Sequence, residues 1–310
     1  MQTFTLLAIS NAPIAFAGGE PPEKDPATLV DPTTKPFQPG VAIDWQNKAV
    51  HVEAHVVLRK GPLEFAACFG GKEHESILRI DATGEHIFLA LGLIGIEPGR
   101  PSQWDENQQQ FSDPTGPLID IDVRTGSAGE PAPLYTWLTN AETLRPALPR
   151  PWVYSGSKRT EDGNLLCDRT GAAIALVDFS DNFFSPLRRY DSSDAGLWAF
   201  ANEVAIPPDD AKVTLIFRSA QPRGYAFRMD ENGLLFVNDE LTKFGDFAAL
   251  LLIAGRLQPE TVIALRVASS ALHADRARVQ HALANVGVSA NRWKWVESDV
   301  PQEKTTTSGG

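Results

Sequence analysis

Between His51 and Ile80 the chain gathers one cysteine, three histidines and four glutamates beside apolar segments (HVEAHVVLRKGPLEFAACFGGKEHESILRI). The densest part is Cys68-Phe69-Gly70-Gly71-Lys72-Glu73-His74-Glu75, where a thiol closes an apolar run, two glycines permit a turn, and a cation, an imidazole and two carboxylates follow. Such residues can do two kinds of chemistry. Cys68, His74 and Glu75, joined by His51, His55 and Glu64 from neighbouring strands, offer sulfur, nitrogen and oxygen donors of the kind that hold zinc. Alternatively, an imidazole beside Cys68 could take the thiol proton and leave a nucleophile. The spacing matches neither C-x-x-C nor H-E-x-x-H. A structural reading stands beside both: Cys68 in the core, Lys72 paired with Glu73 at the surface, and His74 bonded to backbone around the glycine turn. No organic cofactor is expected, because the phosphate-cradling patterns G-x-x-x-x-G-K and G-x-G-x-x-G are missing. Zinc is the metal this donor set would take.

The elements that must position these residues are mainly strands. Val50, Val52, Ala54 and Val56 alternate with His51, Glu53 and His55, the period of a half-buried strand, which puts His51 and His55 on one face. Residues 63–68 read as a second strand after Gly61-Pro62 and residues 76–80 as a third. A helix is predicted over 84–94, with Ile87, Phe88, Leu91 and Ile94 on one stripe. Residues 100–116 are polar loop. Residues 118–124 form a strand with Asp120 and Asp122 outward, and further strands are read at 133–138, 152–154 and 172–179. The segment VTLIF at 213–217 is the strongest strand signal in this region.

The character changes after Gln221-Pro222-Arg223-Gly224. A hairpin turns at Asp230-Glu231-Asn232-Gly233, since Asn-Gly supplies the left-handed dihedrals of a tight turn. A helix carrying Phe244, Phe247, Leu251 and Ala254 follows, then a strand at 262–267, a helix at 275–286 and a last strand at 293–296. The expected fold class is α+β: a β-rich N-terminal domain with at least one helix, and a small C-terminal ββαβα(β) two-layer sandwich.

At 310 residues the chain is long enough for two domains. A formal charge of −11 sets it against a polyphosphate backbone, so nucleic acid is not an expected partner. Residues 1–17 hold a short apolar run ending in Ala15-Phe16-Ala17, the pattern signal peptidase accepts, although Met1-Gln2-Thr3 lacks a basic start. A periplasmic or secreted location is therefore expected. Residues 18–40, with prolines at 21, 22, 26, 32, 36 and 39, read as a linker, and residues 299–310 as a polar disordered tail. No stretch reaches the roughly 20 apolar residues of a transmembrane anchor. Cys68 and Cys167 could form one disulfide or remain two buried thiols. The mixed-charge run around Arg188-Arg189 and Asp191 to Asp194 reads as a solvated loop.

Two resemblances add to this. Gly61-Pro62-Leu63-Glu64-Phe65-Ala66-Ala67-Cys68, then Lys72-Glu73-His74-Glu75-Ser76-Ile77-Leu78, resemble the signature of the YdjY-domain family of exported bacterial proteins; the likeness extends over roughly residues 41–218, within an expected domain at 41–221. That family implies no reaction. Residues 222–298 resemble the periplasmic domain of the ExbD/TolR biopolymer-transport family, through Gly233-Leu-Leu-Phe-Val-Asn238, Val262-Ile-Ala-Leu-Arg-Val267 and Gly287-Val288. This second likeness implies dimerisation and contact with peptidoglycan or an envelope protein. The family's motor coupling needs a preceding transmembrane helix, which the residues before Tyr225 do not provide. The expected role is an exported envelope binding or scaffold protein, preferred over the metal or thiol enzyme built on Cys68, His74 and Glu75.

Overall fold

The computed structural model describes residues 33–298 except 108, 189, 191, 192, 194 and 195; the segments expected as a signal peptide (1–17) and a tail (299–310), and the first part of the one expected as a linker (18–40), lie outside the described residues. The chain is α+β, with a large β-rich front unit and few helices.

The front unit begins with β1 (Thr34–Gln38), β2 (Val41–Asp44), β3 (Ala49–Val56), β4 (Phe65–Cys68), β5 (Ser76–Ile80) and α1 (Gly84–Leu93). Its central strand is β3, whose Val50, Val52, Ala54 and Val56 all enter the main core. Long strand β8 (Leu118–Thr125) follows a short hairpin of β6 (Trp104–Asp105) and β7 (Gln110–Phe111), and receives β9 (Ala132–Pro133) on one edge. Next come β10 (Leu138–Asn140), β11 (Trp152–Tyr154), α2 (Leu166–Thr170), β12 (Ile174–Ala175), β13 (Phe184–Ser185), β14 (Ala199–Ala201) and β15 (Lys212–Ser219).

β15 lies antiparallel along one edge of β3, from Lys212 opposite His55 to Phe217 opposite Val50. The other edge of β3 is shared by β2 over its first half and β5 over its second. From β5 the pairing runs through β4, β12, β13, β11 and β8 back to β15, so the path closes on itself. Closure pairs the ring strands on both sides and leaves β1, which among the described residues pairs only with β2, as an end strand of this sheet. Apolar residues from all sides fill the interior, including the stacked rings of Phe184 and Phe217. Helix α1 starts where the Thr83 hydroxyl accepts the His86 N–H, and it packs on β2 and β3.

Several expectations need correction here. Order begins before Val41, inside the segment read as linker: β1 pairs antiparallel with β2, and Pro36 is tolerated because an end strand can spare an N–H. The loop at 100–116 contains the β6–β7 hairpin. Residues 134–137 form a 3₁₀ turn between β9 and β10, and within 172–179 the ladder is limited to Ile174 and Ala175. Asp120 and Asp122 are buried rather than outward. Arg223 from the following segment and Arg218 from the adjacent strand neutralise them.

The rear unit comprises β16 (Phe227–Met229), β17 (Leu235–Val237), β18 (Glu240–Leu241), α3 (Phe244–Leu257), β19 (Ile263–Ala268), α4 (His273–Asn285) and β20 (Trp293–Ser298). Its five strands lie in the order β18-β17-β16-β19-β20, with β19 parallel to both β16 and β20. Phe247, Leu250, Leu251 and Ala254 of α3 and Val279 and Leu283 of α4 share a core with Phe227, Met229, Leu265 and Val267. Leu118 and Val153 of the front unit join that core, so the two units are packed together although their sheets do not pair. Among the described residues, no helix is long and apolar enough to cross a membrane.

Candidate functional site

The turn between β4 and β5 is set by backbone geometry. Gly70 and Gly71 both take positive φ, open to glycine at no steric cost. Gly171, also at positive φ just after α2, lies so close that a Cβ there would come within 2.2 Å of the Gly70 carbonyl. The Phe69 N–H donates to the Gly171 carbonyl, fixing the turn against α2. A 3₁₀ turn over Glu73–Glu75 then carries the chain into β5, which runs parallel to β4.

This path brings Glu64, Lys72 and Glu75 together, and leaves the other candidates apart. The Lys72 Nζ lies 2.9 Å from Glu75 Oε1. It also sits 5.3 and 5.5 Å from the ring centroids of Phe65 and Phe179, which are stacked on each other. The Glu64 N–H donates to the Glu75 carbonyl at 3.2 Å, holding the two glutamates side by side. Burial, then the charge of Glu75 and a hydrogen bond to it, push the Glu64 carboxyl up to about 7, with Lys72 and His74 acting in the opposite sense. A Glu64 carboxyl that keeps its proton up to near neutrality, beside a second glutamate and a lysine, can donate or accept one.

Cys68 does not join them. It is fully buried, and burial pushes its thiol up, with a hydrogen bond to Ser76 opposing. That is the reverse of the depressed pKa a nucleophilic thiol needs. Cys167 is likewise a buried free thiol, pushed up to about 12 chiefly by burial. The His74 side chain is 75% exposed, with Nε2 3.7 Å from Glu75 Oε2. His55 is engaged elsewhere, its Nδ1 3.0 Å from Asp81. His51 lines a separate cleft of about 530 Å³ with Glu53 and Thr214. Among the described residues, no group of three or more His, Cys, Asp or Glu side chains is arranged to hold a metal ion. Nor do Lys72 and Glu73 pair: Lys72 takes Glu75, and Glu73 lies 3.7 Å from Arg79.

A second charged centre, invisible to the spacing argument, joins the two units. Arg150 of the front unit is only 7% exposed, and its Nη1 donates to Asp246 Oδ1 at 3.0 Å and to the Tyr190 hydroxyl at 2.8 Å. The Arg188 Nε reaches the same Asp246 oxygen at 3.2 Å, and the Tyr190 hydroxyl donates to it as well. Burial alone would raise the Asp246 carboxyl, but Arg150 and Arg188 outweigh it and hold the group at about 2. Arg188 is therefore no solvated loop residue. The Arg150 guanidinium also rests on the rings of Tyr135 and Trp198. On the far side of the rear sheet, β20 pairs with β19 and, among the described residues, with nothing else.

Compared with known proteins, residues 41–218 match the family model for the YdjY domain. No curated protein and no solved structure matches the chain.

Proposed function

The chain belongs to the YdjY-domain family through residues 41–218, and from that premise we propose that it is an exported cell-envelope binding protein, its family unit a rigid platform and its rear unit the partner contact. The observation that carries this reading is the β20 edge. A six-residue strand ends the rear sheet with one side of its backbone unpaired among the described residues, while the buried Arg150–Asp246 link ties the unit to the platform. An unpaired strand edge accepts an added strand from a second copy or from another protein. The rear elements run β16-β17-β18-α3-β19-α4-β20, with one strand, β18, more than the expected ββαβα(β) order, and the sequence resemblance of residues 222–298 to the ExbD/TolR periplasmic domain favours the same use. Export rests on the apolar segment ending in Ala15-Phe16-Ala17. A thiol-dependent enzyme at Cys68 is disfavoured by the buried, raised thiol, and a zinc site by the scatter of His51, His55 and His74.

The test combines light scattering with hydrogen exchange on the full chain, alone across a concentration series and with a solubilised envelope fraction. Association should double the mass or add a partner, and should slow exchange in the β20 amides in step. A monomer mass throughout, with β20 exchange unchanged by the envelope fraction, would overturn the proposal. Recovery of the chain from the periplasm or medium with Gly18 as its first residue would support export, and retention of residues 1–17 in the cytoplasm would refute it.

A further inference from the structure

The β6–β7 hairpin holds a feature that neither the family match nor the rear-unit proposal uses. Trp104 on β6 and Phe111 on β7 meet edge to face, with ring centroids 5.1 Å apart and an interplanar angle of 71°. Held upright in this way, the Trp104 side chain remains 49% exposed. A large aromatic left half open to water at a hairpin forfeits burial energy that the fold has collected for most of its other rings. Beside it lies a cleft of about 540 Å³, within the size range of ligand sites.

The cleft is polar on both arms. Arg100, Gln103, Asp105, Glu106 and Asn107 line one and Ser112 and Asp113 the other. The frame that shapes it is internally bonded: Ser102 Oγ donates to the Ser112 carbonyl, the Gln103 N–H to Ser112 Oγ, and the Asn107 N–H to Asp105. The side chains of Arg100, Gln103, Asn107 and Asp113 make no hydrogen bond or ion pair among the described residues. One cation against three carboxylates makes the lining net negative, which disfavours anions. The carboxylates are also not clustered as a cation site among the described residues. What remains is a ligand with a flat C–H face for an indole and many hydroxyls for amides and carboxylates.

We propose that this cleft binds a neutral oligosaccharide, with one sugar ring stacked on Trp104 and its hydroxyls bonded by Gln103, Asn107 and Asp113. The inference stands independently of the β20 contact. Single-ring stacking with a few exposed hydrogen bonds gives weak binding, with Kd on the order of 1 mM.

The experiment is a calorimetric and saturation-transfer NMR titration of the full chain with three soluble probes: β-1,4-linked glucose, β-1,4-linked N-acetylglucosamine and α-1,4-linked glucose oligosaccharides. At least one should bind saturably. Trp104→Ala should weaken it about tenfold or more, and Gln103→Ala or Asp113→Asn, which leave the aromatic pair in place, should weaken it measurably. Trp45→Ala, at a half-exposed tryptophan that does not line the cleft, should change nothing. The proposal is overturned if no probe saturates, if the Trp104 and Asp113 variants bind like the parent, or if Trp45→Ala causes the same loss.

Discussion

Replacing Asp246 by Asn should loosen the rear unit from the front one by a predictable amount. The substitution keeps the shape of the side chain but removes the only carboxylate that Arg150 touches among the described residues. Arg150 cannot shed its charge in response, because guanidinium stays protonated. Breaking a buried ion pair from one side costs about 3–5 kcal/mol, and Arg150 and Arg188 both lose their counter-ion here. The pH dependence follows from the same geometry. The Asp246 carboxyl is held at about 2, against 3.8 for an unperturbed aspartate. At roughly 1.36 kcal/mol per pH unit, this accounts for about 2 kcal/mol of stability. Because the folded-state value is the lower one, that stability is complete above about pH 4 and is lost as the pH falls towards 2. Urea unfolding of parent and Asp246→Asn chains at pH 7 and again near pH 2.5 measures both effects. The gap between the two should be several kcal/mol at pH 7 and smaller by about 1–2 kcal/mol near pH 2.5. Hydrogen exchange should place the loss in α3. A gap below about 1 kcal/mol, or one that does not change with pH, would refute the buried-pair reasoning.

The carboxyl pair behaves in the opposite sense. Glu64 has a raised folded-state value, so the parent chain loses stability as pH rises from about 4.5 towards 7 and Glu64 ionises beside Glu75; Glu64→Gln should therefore raise the melting temperature more at pH 8 than at pH 5, and an equal change at both would contradict the raised Glu64 carboxyl. For the thiols, a chromogenic disulfide reagent should label neither Cys68 nor Cys167 in the native chain and both after unfolding, since both are buried and raised. Rapid stoichiometric labelling of Cys68 under native conditions would reinstate the nucleophile.

Where the fold was legible in the sequence, the signal was local. Val50 to Val56 alternate, and Val213 to Phe217 run apolar, over enough residues to mark both as strands. β1 escaped because prolines and polar residues at an end strand look like linker. Alternation also placed Asp120 and Asp122 on one face of β8, yet it says nothing of what covers that face; the answer came from Arg223, 103 residues on. The candidate site divides the same way. Lys72 and Glu75 are three apart, but sequence adjacency points to Glu73 as the partner, and only the 3₁₀ turn over Glu73–Glu75 brings Glu75 to the lysine instead. Glu64 reaches Glu75 only because β4 and β5 run parallel, a pairing that requires a crossover and leaves no mark in the spacing.

The seam shows why the functional weight shifts from the first cluster to other parts of the molecule. Cys68, His51, His55 and His74 are dense in sequence, but strand alternation sends neighbouring side chains to opposite faces, so density along a β-rich chain does not become density in space. Arg150, Arg188, Tyr190 and Asp246 are sparse in sequence and converge, the outer pair 96 residues apart. Burying the Arg150 guanidinium with the Asp246 carboxylate is costly unless both are hydrogen-bonded, and a link of that kind resists sliding between units better than an apolar contact of equal area, because displacement strands charge. A partner bound at β20, as proposed, would engage a body held to the family unit by the Arg150–Asp246 pair and a shared core. Loosening the seam with Asp246→Asn should consequently leave binding at the Trp104 cleft intact while changing how β20 is presented.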